Sequence, residues 1–493
     1  MKRVLPYGVG MTLAICYYLA YQGILAHVIA YHEQHHLFLF SKSDLLHQLH
    51  TVGLLGCLTD FFIQFFYYPA LGSLLLALLL TACYFLTRYL LFRLTGKEDV
   101  LYLAVLPSLA LFFYTMSADH ELTRVVGVTG FLALSALLLS LWRTHAPLLP
   151  FCARLHLPWA GKGRHLLTGL FLCGYAVGGY GYFISHYNPK EGIMLKAEQH
   201  VKHREWHAVL DYTERYLQGG KTNQLMAYFR SLALYHTGQL PYRLFDYPAT
   251  LGVKTLYMPW NSNSRESEYG HFVYEELGHI NEAHRWEFEA MVVWGETAPH
   301  LLNLARYNIV NHRPKVAQRF LNRLKQSLFY RQHALELEQK LESGQVDGLR
   351  NALADTEEVP ARFSNVLNLG PELEYLCDKD PKNKMAFEYL MCYLLLSNNI
   401  QRFADNIYRI RQFSYPSLPP VFEEALYIYR LKVGEEAFRQ LGFELSAATH
   451  ERFERYYALL QAGQSEALRQ QFGNSYWFYM NYFSPYGNKA INN

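Results

Sequence analysis

The stretch LLHQLHTVGLLGCLTDFFIQFFYY, Leu45–Tyr68, decides how this chain is read. It is apolar in bulk, yet it carries His47, Gln48, His50, Asp60 and Gln64. Around it lie five candidate membrane spans: Val4–Tyr31, Leu71–Phe92, Val100–Met116, Val125–Trp142 and Leu166–Ser185. A helix needs about 20 apolar residues to cross a bilayer core. If Leu45–Tyr68 does not cross, Lys2, Arg3, Arg88, Arg93, Lys97, Arg143, Arg154, Lys162 and Arg164 share one side, and only Lys42 and Arg124 lie in the short loops opposite. That bias follows the positive-inside rule. If it crosses with the N-terminus inside, the basic loops Arg88–Lys97 and Arg143–Arg164 fall outside. A six-span chain with its N-terminus outside satisfies those loops but exports Lys2 and Arg3. The favoured reading is five spans, with Leu45–Tyr68 as a membrane-edge or re-entrant element. It also spares Asp60 a mid-bilayer cost of roughly 2.5–3.5 kcal/mol.

Composition supports two unlike parts. The 493 residues carry a net charge of +3, 51% hydrophobic and 18% charged residues. Residues 1–186 hold 11 Lys/Arg and 7 Asp/Glu, leaving 34 and 35 for residues 187–493. This excludes a disordered chain, a disulfide-scaffolded mini-protein and a single globular domain. A balanced soluble half also argues against nucleic acid as a partner, because phosphate binding needs a basic surface. The first apolar run exceeds a secretory h-region and is followed by no clean cleavage site, so an uncleaved span is expected. In the last span, Gly174 and Gly178 form a small-xxx-small pair, read as packing against this chain's own spans, with a seam between copies as the alternative.

From Lys190 onward the periodicity is helical. Turns are expected at Gln218–Gly220, Thr237–Gln239, Glu342–Gly344, Ser397–Asn399 and Ala462–Gln464, with longer breaks at Pro248–Gly270, read as a surface loop, Glu358–Pro371 and Ser414–Pro420. Glu205–Tyr212, Arg313–Leu324 and Asn399–Tyr408 have tetratricopeptide character. Their spacing is irregular: 108 residues from Trp206 to Pro314, then 87 to Gln401. The fold predicted is all-α: a transmembrane helical bundle over residues 1–186, then an extracytoplasmic helical-repeat domain over 187–493. Such a stack binds peptides or proteins in its groove, although the fold alone does not fix a function.

The runs Glu33–Phe40, Gln64–Pro69, Leu232–Leu240, His284–Ala290 and Met385–Leu390 resemble an uncharacterised membrane-protein family of Bacteroidota bacteria. The resemblance spans nearly the whole chain. It implies a bacterial inner-membrane protein with a periplasmic helical-repeat domain, and it brings no activity.

Candidate chemistry gathers at the outer end of the first span. His32-Glu33-Gln34-His35-His36 matches H-E-x-x-H, in which His32 and His36 would hold zinc with Glu33 as base. His27, His47 and His50 are the nearby third ligands; polar capping of the span end is the plainer reading. Glu33 has a second meaning. Membrane transferases that use polyprenyl-phosphate sugars set a carboxylate at the outer end of the first span as base, and Glu33, Asp60 and Leu45–Tyr68 resemble that layout. Lys42 and Arg124 are the only short-loop cations available for a lipid phosphate. The plainer role of Asp60 is an interfacial hydrogen bond to His47, His50 or Gln64.

Cys16, Cys57, Cys83 and Cys173 lie in apolar segments and Cys152 in a cytoplasmic loop, while Cys377 and Cys392 would face an oxidising compartment where a disulfide is geometrically open to them. The aromatic run within Ser475–Tyr486 is read as a cap on the last repeat. The sequence contains no P-loop, dinucleotide fingerprint, G-x-S-x-G elbow or paired CxxC. No cofactor is expected. The combined expectation is a non-enzymatic scaffold or assembly factor, anchored in the lipid bilayer and holding an envelope protein partner. The alternatives are the transferase using Glu33 and the zinc hydrolase.

Overall fold

The computed structural model describes residues 4–141, 164–220, 222–353 and 369–487, and every regular element among them is helical. Lys2, Arg3, Trp142, Arg143, Cys152, Arg154, Lys162 and positions 358–368 of the expected second break lie outside the described residues. The chain forms two compact units. The first holds Met1–Leu195 with two later pieces, Thr297–Pro299 and Arg323–His333; the second holds Lys196–Glu296, His300–Asn322 and Ala334–Asn493.

In the first unit the expected continuous span Val4–Tyr31 is broken. Helix α1 (Leu5–Gln22) and α2 (Ala26–His35) meet at a bend of 70°. Gly23 leaves the helical region, and the Leu25 amide closes a wider turn on the Ala20 carbonyl at 2.8 Å. The Gln22 amide donates to the Pro69 carbonyl and Ser73 hydroxyl, both at 3.0 Å, and fixes the end of α1. Leu45–Tyr68 becomes α3 (Lys42–Thr51) and α4 (Gly53–Ile63) followed by one 3-10 turn, Gln64–Tyr67. Neither helix exceeds about 17 Å, well short of a hydrocarbon core of about 30 Å.

Helices α5 (Pro69–Thr95), α6 (Val105–Tyr114), α7 (Leu122–Leu141) and α8 (Arg164–His186) complete the unit. Three helices among the described residues are long and apolar enough to cross a membrane, and the bent α1–α2 pair makes a fourth if it is one span. The expected span Val100–Met116 shortens to the ten residues of α6. Its start is consumed by a turn: the Asp99 carboxylate accepts from the Leu103 and Ala104 amides at 3.0 and 2.9 Å, and Tyr102 sits at φ +53°.

Side-chain bonds fix the direction of each helix. Tyr84 of α5 donates to Pro6 in the first turn of α1 at 3.2 Å, and Gln22 meets Pro69, so α1 and α5 are antiparallel. Ser108 of α6 donates to Leu80 at 2.8 Å and bonds Tyr17 at 2.9 Å, while Tyr21 bonds Thr115 at 2.5 Å. Arg93 donates to Leu139 at 2.5 Å, which sets α7 parallel to α5. Thr168 donates to Val100 at 3.0 Å, and the Glu191 carboxylate beyond α8 accepts from the Ala118 amide at 2.6 Å. The legs α1, α5, α6, α7 and α8 therefore alternate in direction. A methyl group added at Gly174 or Gly178 would meet nothing within 4 Å, so these glycines do not pack on this chain's own helices as expected.

The second unit repeats one joint. Two helices are linked by three residues; the middle one has positive φ, and the third donates its amide to a carbonyl five residues back. The middle residues are Arg204, Gly238, Gly278, His312, Asn398 and Gly463. The closing bonds are Glu205 to His200, Gln239 to Leu234, His279 to Tyr274, Arg313 to Asn308, Asn399 to Leu394 and Gln464 to Leu459, at 2.7–3.1 Å. This is the Schellman closure, which satisfies carbonyls orphaned at a helix end. From 204 to 238 is 34 residues, from 238 to 278 is 40, and from 278 to 312 is 34. The centre is the helix Lys384–Leu396, in which every residue from Met385 to Leu396 is buried, as a helix apolar all round requires.

One expectation changes here, and one open question closes. Pro248–Gly270 is not a surface loop: Val253, Leu256, Tyr257, Met258 and Tyr269 are buried. Cys377 and Cys392 are separate buried thiols, and burial pushes Cys377 up to about 12. The terminal aromatics Tyr476, Trp477, Phe478 and Tyr479 are buried, with the Trp477 indole donating to the Glu424 carbonyl at 2.9 Å.

Candidate functional site

The bend after Gln22 aims α2 away from the axis of α1, and α2 stops at His35. His36 is extended, at φ −128° and ψ 139°. His32 and His36 are thus not on successive turns of one helix, as H-E-x-x-H demands. Their rings lie 5.8 Å apart. His32 is buried, 3% exposed, with Tyr31 at 5.7 Å, and neither of its ring nitrogens has a hydrogen-bond partner among the described residues. His36 instead bonds the Asp60 carboxylate through Nδ1 at 2.8 Å. Among the described residues, no group of three or more His, Cys, Asp or Glu side chains is placed to hold a metal ion.

Asp60 comes from the last turns of α4, so the sequence-predicted pair Glu33 and Asp60 stands on two neighbouring short elements. Their partners differ. Asp60 takes His36; Glu33 accepts the hydroxyl of Tyr330. Tyr330 belongs to Arg323–His333, the later piece of chain built into this unit. That piece is held at several points. Arg323 pairs with Asp44, the Phe40 amide donates to the Gln326 carbonyl at 2.8 Å, and Phe329 stacks on Tyr67 with centroids 5.3 Å apart and planes 5° from parallel. Tyr330 packs edge-on to Tyr67 at 5.3 Å.

Burial, reinforced by the Glu33 carboxylate, pushes the Tyr330 phenol above its ordinary value. The phenol therefore stays protonated at neutral pH and donates to Glu33, a charge-assisted bond of the stronger kind. For Glu33 to act as a base, it would first have to exchange this donor for another hydroxyl. Tyr330, Arg323 and Asp44 escaped the sequence reading. The signal available was the apolar-aromatic run Leu328-Phe329-Tyr330 between Lys325 and Arg331, inside an otherwise charge-rich region.

The second unit holds its own buried charges. Glu287 accepts from His300 at 2.8 Å and Asn303 at 3.3 Å, with His271 at 3.0 Å. Glu275 accepts from Tyr307 at 2.6 Å and pairs with Arg204 and Arg306. Burial alone would raise both carboxyls; the cationic neighbours outweigh it and hold both below the usual range. A cavity of about 210 Å³ lies between Trp206–Gln218, Gln224–His236 and Leu244–Thr255. Its buried Arg230 is committed to Glu214 and the Arg243 carbonyl, at 3.4 and 3.0 Å.

A family model described as a family of unknown function, DUF6057, matches residues 2–183 and 141–483. No curated protein matches the chain, and no solved structure does.

Proposed function

Because the chain belongs to the family of unknown function DUF6057, which brings no activity to transfer, we propose its role on physical grounds: a membrane-anchored scaffold or assembly factor that holds a protein partner of a cell-envelope complex. The observation that carries this reading is the repeated joint of the second unit, with intervals of 34, 40 and 34 residues. Thirty-four residues is the tetratricopeptide period. Stacked helix pairs of that kind cover each other's apolar faces and leave a concave surface suited to segments of other proteins.

The location proposed is a bacterial inner membrane, with the N-terminus in the cytoplasm and the repeat region in the periplasm. Five alternating legs support it, because Arg88, Arg93, Lys97 and Arg164 then fall at one end, in sequence continuity with Lys2, Arg3, Arg143, Arg154 and Lys162. Basic loops are retained in the cytoplasm. A fluorescent protein fused after Asn493 should stay dark, and a phosphatase fused there should be active; bright fluorescence overturns the topology. For the role itself, crosslinking in cells and purification of the full chain should recover the same envelope protein repeatedly through the repeat region. Recovery of no reproducible partner overturns the scaffold reading.

One observation favours a second reading, a polyprenyl-phosphate-dependent transferase using Glu33. The Glu33 carboxylate is half-buried and accepts the Tyr330 hydroxyl. That reading requires purified chain in vesicles to transfer sugar from a polyprenyl-phosphate donor, and Glu33→Gln to abolish the transfer. No transfer by the unaltered chain removes it.

A further inference from the structure

Depth along α5 is readable from its charges. Arg88 is its first charged residue, and Pro69 is its first residue. The 19 steps of helical rise from Pro69 to Arg88 make about 30 Å, which matches the thickness of a hydrocarbon core. With Arg88 at one boundary, Pro69 and the preceding Phe65–Tyr68 stand at the other. Phe329 is fixed to that level: it stacks on Tyr67 and meets Tyr68 and Phe65 edge-on, at 5.4 and 5.9 Å. A residue from the charge-rich part of the sequence thus sits at the depth where α5 leaves the apolar core.

The side chains around it are open. Leu328 is 50% exposed, Tyr68 54%, Phe40 53% and Phe61 40%. The rings join into one patch, with Phe40 6.3 Å from Phe61 and Phe61 5.6 Å from Phe65. Leu46, Leu54 and Leu58 of α3 and α4 are exposed as well. Lys325 and the exposed Arg331 flank Leu328-Phe329-Tyr330 in sequence. Aromatic rings at the headgroup level, apolar side chains below them and basic side chains beside them form the pattern of a membrane interface.

We infer that Arg323–His333 is a lipid-contacting element. Leu328 enters the acyl boundary, the aromatic patch lies among the headgroups, and Arg331 lies beside lipid phosphates. The repeat region is then tied to the bilayer twice: through the end of α8, and again through this segment, more than 130 residues later in the chain. A protein partner on this patch is disfavoured by its depth, which is set by α5 itself. The inference rests on the membrane reading proposed above, and the test separates the two.

The full chain is reconstituted into vesicles of phosphatidylethanolamine and phosphatidylglycerol after spin-labelling Leu328→Cys in a background lacking the native cysteines. Val177→Cys on α8 and Tyr457→Cys on the second unit, both exposed, are the references. The expected result is collision with dissolved oxygen near the Val177 level and loss of collision with a water-soluble nickel chelate relative to Tyr457. Free access of the chelate to position 328 overturns the inference. So does shielding from both reagents, which would mean a protein partner or a second copy. If the Val177 label itself fails to show lipid, the membrane reading falls instead. Leu328→Trp, which leaves the native cysteines in place, gives a second measurement. Its added emission should be quenched by lipids brominated near the headgroup, and absence of quenching overturns the inference.

Discussion

The two units treat charge in opposite ways. The apolar unit has few charged side chains, and two at its Glu33 end find partners far along the chain: Asp44 reaches Arg323 across 279 positions, and Glu33 reaches Tyr330 across 297, while Asp60 takes the nearer His36. The repeat unit is rich in charge and buries it in networks whose partners lie nearer along the chain, from 13 positions for Glu287 and His300 to 71 for Glu275 and Arg204. Glu287 takes His300 and Asn303 from the next helix, 13 and 16 positions on. Local partners make the repeat unit's networks integral to its folding. Distant ones make the Glu33 end a fastening between pieces of chain. The sharpest test removes one anion from the local network. Glu287→Ala strips His271, His300 and Asn303 of a shared buried acceptor. Removing one member of a buried pair costs about 3–5 kcal/mol. Denaturant unfolding of the full chain in detergent should show that loss, and a change below about 1 kcal/mol would break the contrast.

The next effect is a pH dependence. Burial, partly offset by Arg452 and the Tyr476 amide, raises Glu424 from 4.5 to about 7. Between those values the folded chain holds the proton more tightly than the unfolded one. This contribution to stability is therefore greatest below pH 4.5 and declines as pH rises to about 7. A shift of that size corresponds to about 3 kcal/mol. Glu424→Gln keeps the shape and cannot ionise, so the wild-type minus variant stability should slope downward from pH 4.5 to about 7. A flat difference would deny that Glu424 is held in so dry a place.

Packing supplies a smaller effect of known place. A methyl group added at Gly270 would lie 2.4 Å from the Trp286 ring. Trp286 is fully buried and its indole donates to Glu282 at 3.0 Å, so the ring cannot give way freely. Gly270→Ala should cost about 1–3 kcal/mol. At the fastening of the apolar unit, Tyr330→Phe removes a single hydroxyl and should cost about 1–2 kcal/mol. Crosslinking of a Phe40→Cys, Gln326→Cys pair reads that change directly: efficient in the parent, weaker with Tyr330→Phe. Unchanged crosslinking would show that the aromatic stack on Tyr67 alone holds the segment.

What the sequence disclosed follows the range of the physics. Long apolar runs are local, so α5, α7 and α8 were legible within a few residues, while Gly23 bends the first expected span and the turn that Asp99 imposes shortens the third to α6. Leu45–Tyr68 carried its own polar residues and divided into two short helices. The repeat was half hidden. Gly238, Asn398 and Gly463 stand in the turns expected at Thr237–Gln239, Ser397–Asn399 and Ala462–Gln464, while the joints at Arg204, Gly278 and His312 were not read, two of them because Arg and His lack glycine's freedom at positive φ. At the candidate site Glu33, Asp60 and His36 were visible as a polar group beside a span. Tyr330, Arg323 and Asp44 were not, because no periodicity links positions so far apart.

The smallest effect lies on α8. A methyl group at Gly178 meets nothing within 4 Å, and neighbouring Val177 and Tyr180 are 73% and 69% exposed. Contact with the described residues of its own chain does not explain why this helix carries Gly at positions 174 and 178. Gly178→Ala therefore exchanges a poor helix former for a good one with no steric clash, and helix propensity favours Ala by about 1 kcal/mol or less. Stability in detergent should stay level or rise slightly, the reverse of Gly270→Ala. Particle mass in detergent should not change either. A fall in mass on Gly178→Ala would mean that a second copy approaches along this face, as small-xxx-small helices do, and the face would then be a seam between copies rather than a surface for lipid.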